Sequence, residues 1–320
     1  MGGPRPAFPD IMPTEHHALA LAVASLALLV VSAERPVLWG EAGHRITAQA
    51  AAAALPEAMP QFFRSAAPQL AYLNPEPDRW KNRVELARDS ALDAGSFPDH
   101  FLDYEMIPPA SRASAMLAKD RYAFMDTLRA HGVDPAKAGI LPFAILELTQ
   151  RMRIAFRQWR VAPNDQVRSW IEARIINDAG ILGHYVADGS NPAHTTIHYN
   201  GWVGANPNGY ATDTRFHGRF ESAYVQARIT LGDVTPNVTP AAQSFAALRP
   251  AIISYFLTTH GEVERLYQLD KSAPFGPETT ASENKAFAVA RLAAGATMLR
   301  DLWWTAWVTS ETPAAPSPPE

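Results

Sequence analysis

Residues 181–202, ILGHYVADGSNPAHTTIHYNGW, contain the end of a predicted helix and several side chains that can bind a metal ion. His184 and Asp188 are four positions apart, so a helix places both side chains on one face, one turn apart. A glycine and Pro192 then end the helix and turn the chain, which brings His194 back towards the same point. This stretch predicts a helix that presents a nitrogen and an oxygen ligand to one cation.

Helical periodicity continues on both sides of this stretch. Apolar residues recur at i, i+3, i+4 and i+7, whereas alternating strand patterns and repeats are missing. No proline- or glycine-rich linker divides residues 34–310, so the sequence predicts one all-α, multi-helix domain, followed by a disordered tail at residues 311–320. The predicted helical segments are residues 43–55, 111–130, 140–160, 166–187, 216–231, 241–268 and 280–308.

The first 33 residues have a different character. Residues 18–31, ALALAVASLALLVV, have the length of a signal-peptide core and are too few to span a bilayer comfortably. Ala33 provides a small residue for cleavage. We therefore predict a signal peptide at residues 1–33 and export to the periplasm or the outside. A single anchor helix or a buried apolar helix is the alternative.

Composition limits how a substrate and a metal can be bound. The formal net charge of -4 gives no general attraction for nucleic acid or anionic lipid, so a polyanionic substrate needs a local feature such as bound metal. Cysteine is absent, which excludes disulfides and thiolate zinc sites. Any metal ligands must therefore be nitrogen and oxygen atoms.

More candidate ligands lie on either side of the opening stretch. His217 and Glu221 in FHGRFES are again four positions apart, while His44 in WGEAGH, Asp78 in NPEPDRW and His100 in FPDHFLDYE lie upstream. The upstream residues stand beside glycine, proline or aromatic residues, as expected at junctions of loops and helices. A single His–carboxylate pair on a helix is usually structural. Two such pairs together with His194, all within about forty residues, favour a metal cluster.

In chain order, these residues resemble the zinc-dependent phospholipase C and S1/P1 nuclease superfamily. The most specific pieces are W-G-x-x-G-H, H-x3-D-x5-H and H-x3-E. The resemblance implies an all-α fold that hydrolyses phosphodiester bonds with a zinc-activated water. The matched series is Trp39, His44, Asp78, His100, His184, Asp188, His194, His217 and Glu221.

The resemblance also implies up to three zinc ions. The first would be held by Asp78, His100, His184 and Asp188, the second by His194, His217 and Glu221, and the third by the Trp39 backbone and His44, with Asp188 bridging to the first. Asp78 and Asp188 are the predicted catalytic residues, since Asp78 can also orient or deprotonate the attacking water. In the family the tryptophan is the mature N-terminus, whereas cleavage after Ala33 leaves Glu34–Leu38 ahead of it. Either a further trimming step exposes Trp39, or Trp39 contributes at most its carbonyl and the third site is weakened.

The substrate is a phosphodiester of either lipid or nucleic acid. The interval from Trp39 to His44 is similar to the nuclease branch, and Glu221 is similar to the phospholipase branch. Phe101 is the predicted substrate contact, because its ring can stack on a nucleobase or flank a lipid head group. We favour a phospholipase C-like substrate, with a single-strand nuclease as the alternative. No obligate protein partner is indicated.

Two other metal hydrolases are excluded by missing motifs. No histidine is followed by aspartate, and H-E-x-x-H is absent. A non-catalytic, zinc-stabilised helical binding protein remains as a rival from another class. The three ligands His194, His217 and Glu221 leave room for water, which favours catalysis over a closed structural site.

Overall fold

The computed structural model describes residues 40–311, all of which lie in one compact unit. Among them no strand forms, and only isolated bridges join Leu102 to Gly139 and Tyr199 to Gly201. The predicted all-α class is confirmed. The helices are α1 (Gly40–Ala53), α2 (Gln61–Ser65), α3 (Ala67–Leu73), α4 (Glu76–Trp80), α5 (Arg83–Arg88), α6 (Ala91–Ser96), α7 (Arg112–Met116), α8 (Arg121–Ala130), α9 (Pro135–Ala138), α10 (Leu141–Arg160), α11 (Asp165–Ser190), α12 (Phe216–Gly218), α13 (Val225–Arg228), α14 (Leu231–Val234), α15 (Leu248–His260), α16 (Val263–Ser272) and α17 (Ser282–Val308).

Three of the sequence predictions fall outside the described residues. They are the signal peptide, the Trp39 backbone ligand and residues 312–320 of the tail. None of the helices between residues 40 and 311 combines the length and the hydropathy that crossing a lipid bilayer requires.

Helix α11 is central because its second half is buried on every side. Nearly all residues from Ile175 to Ser190 are inaccessible, and the helix packs against α1, α3, α10 and α17. A helix with a single apolar stripe would lie at the surface, whereas one that is buried all round belongs in the core. The fold therefore places His184 and Asp188 in the interior.

Two local features set the bounds of α11. The Asn164 side chain accepts a hydrogen bond from the Val167 N–H, which caps the first turn. At the other end the helix stops at Ser190, where Pro192 follows. Residues 166–187 were predicted, so this helix is confirmed and extends slightly at both ends.

Other predicted helices differ from the structure in their extent. The segment 111–130 is two helices, because the Asp120 side chain accepts from the Ala123 N–H and starts α8 as a separate helix. The segment 241–268 becomes helical only at Leu248, and it is likewise divided into α15 and α16 at Gly261. The segment 216–231 contains a π-helical turn at Arg219–Tyr224 between α12 and α13.

Candidate metal centre

The Asp188 carboxylate, carried by α11, lies at the middle of a group of histidines. Its Oδ2 atom is 3.0 Å from His100 Nδ1 and 3.2 Å from His184 Nε2. Its Oδ1 atom is 3.5 Å from His44 Nε2 and 3.6 Å from His194 Nδ1. One buried carboxylate thus approaches four imidazole rings that come from different parts of the chain.

Asp78, on α4, faces the same histidines from the solvent side. Its Oδ1 atom is 3.8 Å from His184 Nε2 and 4.0 Å from His100 Nδ1, and its Oδ2 atom is 3.9 Å from His44 Nε2. The side chain of Asp78 is 18% exposed, compared with 1% for Asp188. Asp78 is therefore the carboxylate of this part of the cluster that solvent can reach.

The ligand atoms form three groups, in each of which they lie within 4.8 Å of one another. We call them the His44 group (His44, Asp78, His184), the His100 group (His100, His184, Asp188) and the His217 group (His194, His217, Glu221). Each group can hold a metal ion. Apart from Trp39, every predicted ligand belongs to one of them, and His44 shares its group with Asp78 and His184.

The His217 group depends on the π-helical turn at Arg219–Tyr224. Glu221 lies in this turn, and its Oε2 atom is 2.8 Å from His217 Nε2 and 3.3 Å from His194 Nε2. The Asn191 amide also donates to Oε2, at 3.0 Å. Single π-helical turns are frequent at functional sites, and here the turn directs a glutamate into the interior.

Four of the five histidines of the cluster are oriented by oxygen atoms behind their rings, and His100 is the exception because its Nδ1 atom faces Asp188, at 3.0 Å. Because the oxygens behind the four rings can only accept, a proton of each of these rings lies on Nδ1 and Nε2 is turned towards the carboxylates. Histidines that bind metals have this arrangement. The Nδ1 donors and their acceptors are His44 to Asn74 Oδ1 (3.0 Å), His184 to the Asn74 carbonyl (3.0 Å), His194 to the His100 carbonyl (2.8 Å) and His217 to the Tyr199 carbonyl (3.1 Å).

The proton states of the cluster suit a cation. Burial lowers the pKa of His44 to about 3 and that of His100 to about 4, so both rings are neutral at pH 7. Burial alone would raise the pKa of Glu221, but His217 and His194 lower it to about 2. The cluster therefore offers neutral nitrogens beside an ionised carboxylate.

The pKa of His194 differs from those of His44 and His100. Burial acts to lower its pKa, but the charges of Asp188 and Glu221 outweigh burial and raise the pKa to about 9. Without a metal, this ring is therefore protonated at neutral pH. A cation bound to the His217 group takes the place of that proton.

Several buried polar atoms of the cluster lack hydrogen-bond partners among residues 40–311. They include His44 Nε2, His100 Nε2 and Glu221 Oε1. Unpartnered buried polar atoms are uncommon and need a reason, and a bound cation satisfies those that face it. A set of imidazoles and carboxylates without sulfur suits zinc and related divalent transition metals. The residues present fit a metal centre.

The solvent side of the cluster includes a lysine that the sequence analysis missed. Lys81 Nζ donates to Asp78 Oδ1 at 2.9 Å and lies 5.6 Å from the centre of the Phe97 ring. The Phe97 ring in turn contacts Phe101, at 5.3 Å between centroids. Phe101, the predicted substrate contact, thus adjoins the accessible side. The spacing of three between Asp78 and Lys81 was the signal available in the sequence.

Asn74 was missed as well, because it appeared only as a residue beside prolines in a predicted connection. The structure gives it hydrogen bonds to two cluster histidines, His44 and His184. Neither partner is near it in sequence, so spacing gave no signal for this role.

Comparison with known proteins yields no match to this chain. No protein-family model matches the sequence, and no curated protein or solved structure matches it either. What is established is an all-α fold with three groups of histidine and carboxylate residues that can hold metal ions.

Proposed function

We propose that this chain is a zinc-dependent phosphoesterase that hydrolyses phosphodiester bonds with up to three zinc ions in the His44, His100 and His217 groups. The observation that carries the proposal is the convergence of Asp188 and Asp78 on the same imidazoles, with the Asp78 side chain partly exposed. A purely structural site would have no need of an accessible carboxylate.

Zinc held by these residues supplies Lewis acidity and lowers the pKa of water to near neutrality. Asp78 accepts the proton of the attacking water. Burial raises the pKa of this carboxyl, but His184 and Lys81 outweigh burial and hold the pKa below its usual range, so Asp78 is ionised at neutral pH. Since Oδ1 accepts from Lys81, Oδ2 is the atom available for this step.

Lys81 has a second part in this proposal. Its ammonium group is partly exposed and lies beside Asp78, so it can pair with the anionic phosphate as the substrate arrives. This local positive charge offsets the acidic net charge of the chain.

A phospholipid is the favoured substrate because apolar side chains are exposed beside the cluster. Residues 82–95, which we call the exposed segment, follow Lys81, and all of them except Asp93 are exposed. Val84, Leu86 and Leu92 within the segment are 65%, 43% and 50% exposed. Apolar side chains that remain in water next to a catalytic site are typical of a surface that meets lipid.

A nuclease on the same cluster is the second candidate. Phe97 and Tyr199 are both about half exposed, and the Tyr199 ring lies 6.2 Å from that of His217. Two accessible rings beside the cluster are suited to stacking of unpaired bases. The Trp202 ring packs against that of His198, at 4.0 Å between centroids.

One set of assays separates these functions. The purified protein is treated with chelator, reloaded with zinc, and assayed on phosphatidylcholine vesicles, single-stranded DNA and a small soluble phosphodiester. We expect chelator to abolish hydrolysis and zinc to restore it, with the vesicles as the preferred substrate. Preference for DNA would assign the nuclease function. Full zinc loading without hydrolysis of any of the three would favour the non-catalytic binding protein.

A further inference from the structure

Asn74 is a fully buried residue between α3 and α4 that contacts two histidines of the His44 group in two different ways. Its side-chain oxygen Oδ1 accepts from His44 Nδ1 at 3.0 Å. Its backbone carbonyl accepts from His184 Nδ1, also at 3.0 Å. The rings of these two histidines stack, with 4.0 Å between centroids and 14° between planes. One residue thus holds a stacked pair of imidazoles from behind.

The Asn74 amide packs against a helix position that has no side chain. A Cβ atom at Gly183 would lie 2.4 Å from Asn74 Nδ2, so α11 needs glycine at this position for the amide to fit. Glycine inside a helix is less favourable than alanine. The amide nitrogen itself has no hydrogen-bond partner among residues 40–311. A buried amide with an unsatisfied donor contributes little to stability. The role of Asn74 therefore lies in the hydrogen bond that its side-chain oxygen accepts from His44.

We infer that Asn74 is a positioning residue for metal binding, which sets the tautomer and ring orientation of His44 through its side chain and those of His184 through its backbone. With a proton fixed on Nδ1 of each ring, both Nε2 atoms keep a lone pair for a cation held between the rings and the carboxylates of Asp188 and Asp78. Acceptors behind metal-binding imidazoles typically affect metal affinity by about 10- to 100-fold. The inference rests on the metal binding that the proposed function also requires, and does not depend on hydrolysis.

Because the two contacts use different parts of Asn74, a substitution separates them. Asn74→Ala removes the acceptor of His44 and keeps the backbone carbonyl that serves His184. We expect zinc affinity of the His44 group to fall about 10- to 100-fold, with the His217 group unchanged. Asn74→Asp keeps an acceptor oxygen and is expected to restore most of the affinity. Gly183→Ala displaces the amide and is expected to reproduce the effect of Asn74→Ala.

The measurements are competitive zinc titration against a chelator and 15N NMR of the histidine rings in the metal-free protein. In the wild type, the 15N shifts of His44 should report protonation at Nδ1, and in Asn74→Ala a mixture of tautomers. Asn284→Ala is the matched control, since Asn284 is another buried asparagine, whose amide donates to the Ala273 carbonyl at 2.8 Å. It should lower stability without altering zinc affinity or the His44 shifts.

The outcomes are distinguishable. If the wild type binds zinc and Asn74→Ala binds it with equal affinity and an unchanged His44 tautomer, the positioning role is overturned while the proposed function stands. If Asn74→Asp fails to restore what Asn74→Ala loses, the effect comes from packing and the inference also fails. If the wild type binds no zinc, both the inference and the proposed function fall.

Discussion

The two ends of the candidate metal centre hold their protons differently before any metal binds. At one end, which comprises the His44 and His100 groups and which we call the interior end, burial keeps His44 and His100 neutral, with pKa values of about 3 and about 4. At the other end, Asp188 and Glu221 overcome burial and hold His194 protonated, with a pKa of about 9. The same ligand chemistry therefore gives one end that is ready for a cation and another that must first lose a proton.

This difference follows from how each end is built. Asp188 is shared by several rings, so no single imidazole at the interior end receives its whole charge. His194 stands between Asp188 and Glu221, at 3.6 Å and 3.3 Å, and receives charge from both sides. The position of a ring relative to the carboxylates decides its proton state, although every ring involved is buried.

Removal of the Asp188 carboxylate, which both ends share, should have the largest effect on hydrolysis and zinc content. We expect Asp188→Asn to lower hydrolysis of a soluble phosphodiester by on the order of 1,000-fold, since ionic stabilisation at the centre of the site is lost. Zinc content should fall with it. Both are measured on the purified protein, with circular dichroism as the check on folding.

The matched control for this substitution is Asp178→Asn. Asp178 is another buried carboxylate of α11, paired with Arg151 at 2.9 Å and outside the three groups. It should leave zinc content and activity unchanged. Full activity of Asp188→Asn at unchanged zinc content would contradict the central role of this residue.

The pH dependence of zinc binding should separate the two ends. His194 has a pKa raised to about 9, so below that value a proton must leave before zinc binds to the His217 group. Affinity there should rise about tenfold per pH unit from pH 6.5 towards 9. Affinity at the interior end should change little over this range, because His44 and His100 are already neutral. Competitive titration at three pH values measures both.

The same pKa changes determine whether the metal-free protein becomes more or less stable as pH changes. Protonated His194 stabilises the folded state below its ordinary pKa of 6.5, and this contribution is lost as pH rises through about 9. Neutral His44 acts in the opposite sense, since its pKa of about 3 makes the folded state less stable as pH falls below 6.5. If zinc affinity had the same pH profile at both ends, the predicted difference in proton state between His194 and the pair His44 and His100 would be wrong.

The smallest expected effect concerns the exposed segment. In Val84→Ser/Leu92→Ser, hydrolysis of phosphatidylcholine vesicles should fall about tenfold, because two apolar side chains contribute about 1.4 kcal/mol to insertion at the lipid surface. Hydrolysis of the soluble phosphodiester should not change. Val161→Ser is the control, since Val161 is also apolar and is 76% exposed but lies after α10. Equal losses on both substrates would indicate damage to the cluster and not a lipid-binding role.

The helices and ligand pairs that depend on local spacing were predictable. The four-residue interval of His184 and Asp188 within α11 and that of His217 and Glu221 both became close contacts, because side chains one turn apart share a helix face. The π-helical turn at Arg219–Tyr224 was not predicted, since apolar periodicity does not distinguish it from an α-helical turn. The divisions at Asp120 and Gly261 were missed because apolar spacing continues across them.

By itself, the sequence determined the helical class, the nitrogen and oxygen character of any metal site, and most of the residues that form it. Only the tertiary structure decided that Asp188 approaches four rings, that Asn74 supports His44 and His184, and that His194 keeps a proton. His184 and Asn74 are 110 positions apart, and periodicity relates only residues within a few turns of one helix. Proton states depend on burial and on charges brought together by packing, so they become determined only when the helices assemble.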